Sequence, residues 1–418
     1  QSMEDLPGAL ELLKSIDLEM LKVLEGKLPE VFLLADEIRD TLETGGNIYL
    51  SGCGSTGRLS LALETIWRCV HAGDESLRNR VTGFMAGGDL ALIKAVEEFE
   101  DFTAYGGRQL EDLGFGENDL LLAITEGGET PFVIGTAWKA AEISRRRPFF
   151  LYCNPDPILR ARVERSREVI ESDRIRKMNL TVGPMAISGS TRMQATSIQM
   201  LAAGLALLFR DSDAIRREFA SLCQAFAVLE VRDLAPFTEE ESGIYRNGDY
   251  LFYEAGEKYA ISILTDTTER APTFSLYPFE NQQDRCRENF KPCLCYLVIP
   301  EASDAPEGYR MLLGRAPRTV EWPELKGAIN TSRLYGHDFS RNIIDLRRSY
   351  LPDARHCTFA IREEGDRIIL SLNRNRLLLD LRGLSLLSRH LILKMLLNMH
   401  STLIMGRLGR YEGNLMTW

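Results

Sequence analysis

A change of hydrophobic period near residue 46 most constrains what this chain can fold into. Upstream, LELLKSIDLEMLKVLEGKLPEVFLLADEI repeats apolar residues at helical spacing, which predicts a helical segment over residues 1–45, one or two amphipathic helices. Downstream, NIYLSGCG, DLLLAIT, PFFLYCNP and NLTVGP are short apolar runs rich in strand formers, separated by stretches of helical periodicity. That alternation specifies an α/β architecture, a parallel sheet wrapped by helices. A long apolar-faced helix is expected from Ser190 to Phe209, and another through Leu229.

The stretch PFTEEESGIYRN is acidic and without periodicity, and residues 236–247 are read as a linker. Beyond it the same grammar restarts. DYLFYEAG, PCLCYLVIP, RTVEWPE and HCTFAI are strand candidates, GEKYAISILTDTTE a helix, and LSLLSRHLILKMLLNMHSTLIMGRLG a strongly apolar terminal helix. A chain of 418 residues exceeds what one core organises, so two α/β units in tandem are expected. They are assigned to residues 46–235 and 248–380, with a C-terminal helical segment over 381–418.

Composition narrows the partners. With 44% hydrophobic and 26% charged residues the chain is globular, and a net charge of −10 disfavours nucleic acid or an anionic membrane as a partner. The most apolar run, Met200–Phe209, is about half of the roughly 20 residues a membrane span needs. The opening QSMEDLPGALELL has no basic region ahead of an apolar stretch, so no signal peptide is expected. The eight cysteines are scattered, as in reduced cytoplasmic proteins, and the five histidines form no pair at ligand spacing. Neither a metal nor a cofactor is assigned.

Two turns between a strand and a helix carry the candidate chemistry. In SGCGSTGRL, small residues let the backbone turn sharply, and the amides around Gly54, with the Ser55 and Thr56 hydroxyls, lie where a helix dipole favours an anion. Gly52, Gly54 and Gly57 nominally meet a dinucleotide fingerprint. No acidic residue closes a second strand about 20 residues on, which disfavours a dinucleotide. In GPMAISGSTRMQ, Ser188, Ser190 and Thr191 supply further hydroxyls, with Ser190 or Thr191 also a plain helix cap. Ligands bind such sheets at the carboxyl ends of their strands.

The ordered series SGCGSTGR, FMAGG with KAVEEFED, TPFVIG, CNPD and GPMAISGSTRM resembles the sugar isomerase (SIS) family, within it the branch holding N-acetylmuramic acid 6-phosphate etherase and the glucokinase regulatory protein. The resemblance implies two tandem flavodoxin-like SIS domains. It assigns phosphate contacts to Gly54, Ser55 and Thr56, to Thr125 and Gly127, and to Ser188, Ser190, Thr191 and Arg192. It assigns the sugar, or acid–base work, to Glu97 in KAVEEFED and to Glu269 in DTTERAPTFS. Arg407, in LNMHSTLIMGRLGRYEGNLM, falls where the regulatory protein has a sugar-contacting lysine. The first unit keeps the loops and Glu97, the second keeps Glu269 and Arg407, so the resemblance implies one composite pocket.

Three departures stand out. In ITEGGETPFV, Glu126 and Glu129 intrude on a loop that is usually Ser-rich, and a carboxylate opposes a phosphate unless it points away or is protonated. Gln194 replaces a common lysine. Glu64 is out of register with the etherase glutamate and is read as structural. The function implied first is a sensor of a hexose or amino-sugar phosphate that regulates a partner, a kinase or another protein. The alternative is an etherase-type lyase. In it one glutamate removes a proton α to a carboxylic or amide group and the other protonates the departing ether oxygen.

Overall fold

A computed structural model describes residues 4–96, 99–325 and 327–416. The upstream segment is one helix, α1 (Leu6–Glu43), capped by the Asp5 side chain, which accepts from the Gly8 amide. Five strands follow: β1 (Ile48–Gly52), β2 (Val81–Met85), β3 (Leu120–Ile124), β4 (Phe149–Tyr152) and β5 (Arg176–Asn179). They form one parallel sheet in the order β2-β1-β3-β4-β5, the flavodoxin-like arrangement. Its central strands β1, β3 and β4 are buried along their whole length, as expected of a sheet covered on both faces. The last strand lies just upstream of the expected NLTVGP. At this sheet edge Arg176 can turn outward, where it pairs with Glu37 at 2.7 Å and lies over the Phe149 ring.

The helices that matter here are α2 (Gly54–Val70), α3 (Pro131–Ile143), α4 (Gln194–Leu208), α5 (Ser212–Ala227), α6 (Ala235–Arg246), α7 (Glu257–Phe274) and α8 (Leu386–Arg407). The segment 236–247, expected as a linker, is helix α6. Glu239 points to solvent, while Phe237, Ile244 and Tyr245 are buried at helical spacing and Glu241 is buried in a polar network. The acidic run masked that apolar face.

The second sheet runs β10-β9-β8-β6-β7, with β6 (Tyr250–Ala255), β7 (Cys295–Val298), β8 (His356–Glu364), β9 (Arg367–Leu372) and β10 (Asn375–Asp380). It is mixed rather than parallel. Strands β6, β7 and β8 are parallel, and β8, β9 and β10 form an antiparallel meander whose last hairpin turns at Asn373, φ 51°. The expected strand RTVEWPE is irregular, with a 3₁₀ turn at Pro323–Leu325. Its backbone pairs instead with Asp89, whose amide donates to the Arg318 carbonyl and whose carboxylate accepts from the Arg318 amide.

Helices α1, α2 and α4 pack against α7 and α8, so the core runs between the two sheets. Helix α8 is buried on all sides, the behaviour of a helix apolar all round. Its close approach to α4 relies on Gly204, where an added Cβ would lie 2.6 Å from Leu387. Glu64 fastens the halves too. It accepts from Arg315 and Arg318, and Arg315 also binds Asp89, so its structural reading stands. Among the described residues no helix is long and apolar enough to cross a membrane.

Candidate functional site

The site lies where β1 and β3, neighbours in the sheet, send their following helices to opposite faces, the switch point of such folds. At the end of β1 the chain turns so tightly that a Cβ on Gly52 would come within 2.4 Å of the Thr56 backbone. Gly54, at φ 54°, opens α2. The Thr56 hydroxyl accepts from the Cys53 amide at 3.0 Å and donates to the Cys53 carbonyl at 2.9 Å, which locks this turn. Ser55 stands partly exposed in the first turn of the helix, where amides lack partners within the helix.

The second loop follows β3. The Thr125 hydroxyl pairs with that of Thr130, and its carbonyl accepts from Gln199. The Gly127 carbonyl accepts from Asn154. Glu126 is half-buried at the start of this loop, near Thr56, Thr191 and Glu269. Burial raises its pKa to about 7, with Glu269 adding to the rise. Glu129 is exposed and stays out of the site.

In the third loop Ser190 is buried and its hydroxyl has no partner among the described residues. Ser188 is exposed, and its amide donates to the Asn414 carbonyl. Gln194 closes this loop on itself, accepting from the Ala186 amide and donating to the Pro184 carbonyl. Arg192 is fully buried and reaches across to Asp266 on α7 at 3.0 Å and to Ser401 and Thr402 on α8.

Helices α7 and α8 complete the cluster. Lys394 donates to the Arg192 carbonyl, Ser197 and Asn398. Burial lowers its pKa to about 8, against the pull of Glu269 and of Asp17 on α1; burial likewise raises Asp17 to about 7. Glu269 is buried with one carboxylate oxygen unpartnered among the described residues. Burial raises its pKa although Arg58, Lys394 and Arg192 oppose the shift. Arg58, from the first helical turns after SGCGST, donates to the Leu92 carbonyl and to Thr268, next to Glu269. A second network is purely structural in its contacts: Glu241 accepts from Tyr245, Tyr253 and Arg270 and meets His400 at 2.8 Å, which pulls its pKa down to about 2 despite burial.

The structure thus gathers Thr56, Thr191, Arg192 and Glu269 around one region from both halves. Thr56, Thr125 and Arg192 spend their side chains on holding the loops. Arg407 faces α6, donating to Ser242 at 3.1 Å and lying 3.5 Å from Glu239. Glu97 lies outside the described residues. Arg58 and Lys394 were not singled out from sequence. A lone lysine inside the apolar run RHLILKMLL was the available signal, because lysine is rarely buried without a task. Among the described residues no group of three His, Cys, Asp or Glu side chains is placed to hold a metal ion.

Comparison with known proteins agrees with this frame. The family described as the glucokinase regulatory protein N-terminal SIS domain matches residues 31–140. The chain is 32% identical over 202 residues to the N-acetylmuramic acid 6-phosphate etherase of Aliivibrio fischeri, covering 47% of this chain and 62% of that one. It is 33% identical over 188 residues to N-acetylmuramic acid 6-phosphate etherase 1 of Bacillus licheniformis, covering 45% of this chain and 57% of that one. These matches span less than two thirds of the etherases' length. Among solved structures, a protein described as a phosphosugar isomerase from Silicibacter pomeroyi superposes with TM-score 0.53 at 14% identity, covering 96% of this chain and 98% of that one. Tagatose-6-phosphate ketose/aldose isomerase from Escherichia coli gives 0.51 at 11% identity, covering 96% and 94%. At that identity both speak for the fold alone. Fold, loops and matches together fit a SIS-domain protein, with residues 31–140 matching the SIS-domain family. Within that class it resembles the N-acetylmuramic acid 6-phosphate etherases and the N-terminal domain of the glucokinase regulatory protein.

Proposed function

We propose that the chain binds a phosphorylated sugar or amino sugar at the β1–β3 switch point and acts on it as an etherase-type carbon–oxygen lyase, with Glu269 as its acid. The observation that carries this is Glu269 itself: a buried carboxyl, unpartnered at one oxygen, with a raised pKa, beside Arg58 and Lys394 and close to the three loops. A carboxyl that keeps its proton suits delivery of that proton to a departing ether oxygen. In the reaction a base removes a proton next to a carbonyl-type group, the C–H electrons form a double bond as the C–O bond breaks, and the acid protonates the released oxygen. Glu97 is the base that the resemblance implies. The etherase relatives support this reading over a purely regulatory one.

The second reading is a sugar-responsive binding protein that passes occupancy to a partner, in a cytoplasmic setting. The match of residues 31–140 to the regulatory protein's domain favours it. Incubation with N-acetylmuramic acid 6-phosphate separates the two. Lactate release that is lost in Glu269→Gln supports the lyase. Saturable binding with no lactate supports the sensor, and neither binding nor release overturns both.

A further inference from the structure

A cavity of about 440 Å³ opens between the two halves, away from the three loops. The first half gives it Leu90 and residues 94–96, just after β2; the second gives residues 277–291, between α7 and β7, and the turn carrying Arg333 and His337. Its volume falls within the roughly 300–1,000 Å³ of small-molecule sites. None of its lining residues belongs to the loops or to the cluster around Glu269 and Lys394. The wall is held in place: the Asn281 side chain donates to the Arg333 carbonyl at 2.8 Å and accepts from the Gln283 amide at 3.0 Å.

The charge on this wall runs against the chain's net −10. Lys94, Arg287, Lys291 and Arg333 face two carboxylates, Glu280 and Asp284. Both carboxylates are already taken. Glu280 pairs with Arg347 at 2.8 Å and accepts from Tyr350 at 2.7 Å, while Asp284 serves Arg333 and Arg287, each at 2.9 Å. Lys94 and Lys291 stand exposed, one from each half, with no ion pair among the described residues. The apolar part of the wall is aromatic. Phe279 stacks on Tyr296 and Phe290 meets Tyr350 edge-on, whereas Tyr277 is 60% exposed and has no ring neighbour among the described residues. His337 lines the cavity too, 5% exposed, with its Nδ1 atom unpartnered among the described residues. Burial lowers its pKa to about 3, with Arg333 and Lys94 adding to the shift, so the ring is neutral and offers one donor and one acceptor.

We propose that this cavity is a second ligand site, which takes a nucleoside monophosphate with its phosphate at Lys94 and Lys291 and its base against Tyr277. Two unmatched cations call for an anion, and an open aromatic face beside a polar imidazole suits a base better than a sugar ring. The inference stands apart from the sugar-phosphate reading of the loops.

The test is calorimetric titration of the full chain at pH 8 with adenosine, guanosine, cytidine and uridine monophosphates, with the four nucleosides and with inorganic phosphate. At least one nucleotide is expected to bind saturably, more tightly than its nucleoside and than phosphate. Lys94→Glu and Lys291→Glu are each expected to weaken it by about tenfold or more, the loss of a charge-assisted contact, and Tyr277→Ala to weaken nucleotide and nucleoside alike. All three side chains are exposed, so melting of the variants is expected to match wild type. No binding of any nucleotide at millimolar concentration overturns the proposal. So does a nucleotide held no more tightly than phosphate or its nucleoside, or an affinity that the lysine reversals or Tyr277→Ala leave unchanged. Lactate release and sugar-phosphate binding are measured separately, so neither result decides the other.

Discussion

Replacing Glu269 by Gln separates a functional carboxyl from a structural one. The carboxyl is buried on α7, one oxygen lacks a hydrogen bond among the described residues, and burial outweighs the attraction of Arg58, Lys394 and Arg192. An unpartnered buried polar group costs about 1–3 kcal/mol, so the charged carboxyl strains the unliganded fold by that order. The sign of the pH dependence follows from proton counting. The folded pKa is above the ordinary 4.5, so between 4.5 and that raised value the folded state holds more protons than the unfolded. Wild-type stability therefore falls as pH rises through that window, and the full cost is present above it. Glu269→Gln carries no such term. It is expected to be at least as stable as wild type at pH 8, by up to about 1–3 kcal/mol, with the gap closing toward pH 4. Asp17 titrates in both proteins, while Glu126 loses the repulsion of Glu269 in the variant, which lowers its raised pKa and widens the gap at pH 8 in the same direction. Urea unfolding of both proteins at pH 4, 6 and 8 measures the gap. A variant less stable than wild type by more than about 1 kcal/mol at every pH would make Glu269 the anchor of Arg58 and Lys394, and the argument for an acid would fail.

Two further substitutions test other parts of the frame. Glu64→Ala leaves Arg318 and half of Arg315 without their buried partner, and a loss of about 3–5 kcal/mol is expected in urea unfolding; a loss under about 1 kcal/mol would show that the clamp between the halves does not hold them. Ser190→Ala removes a hydroxyl that has no partner within the described fold, so melting is expected to stay unchanged while sugar-phosphate binding weakens by about 1.5–3 kcal/mol; a melting loss with unchanged binding would reduce Ser190 to a structural role.

The parts of this molecule that sequence revealed are those governed by local pattern. The apolar runs of β1, β3, β4, β6 and β7 stand out because strands buried on both faces read as continuous hydrophobic stretches. The loop motifs were legible because tight turns demand small residues, as Gly52 and Gly54 show. What was hidden depends on distant partners. Helix α6 looked like a linker because Glu241 is buried only by virtue of Arg270, Tyr253 and His400, from elements far along the chain. The hairpin of β9 and β10, RIILSLNRNRLLLD, holds two short apolar runs joined by polar residues with no glycine or proline to mark the turn. Arg407 was placed by resemblance, whereas the end of α8 turns it toward α6. The intrusion of Glu126 was visible, but its neighbourhood was not, because Thr56, Thr191 and Glu269 come to it from distant parts of the chain.

The buried charges of the site sort into two kinds, and the sorting explains why a ligand belongs there. Arg192 and Arg270 are matched with Asp266 and Glu241, whose pKa values are driven down by those cations, so these pairs stay charged and hold the fold. Arg58 and Lys394 are placed differently. The first-ranking carboxyl beside each is Glu269, followed by Glu126 for Arg58 and Asp17 for Lys394, and all three have raised pKa values. Glu126 and Asp17 surrender their charge near neutral pH and Glu269 holds its proton more firmly than an ordinary glutamate, while an arginine keeps its charge. A cation facing carboxyls that readily become neutral is an incompletely compensated buried charge, which a fold tolerates poorly unless something else supplies the counter-charge. A phosphate ester supplies it. With it bound, Arg58 gains the permanent anion that the polypeptide does not provide, and Glu269 is left the proton that the proposed acid needs.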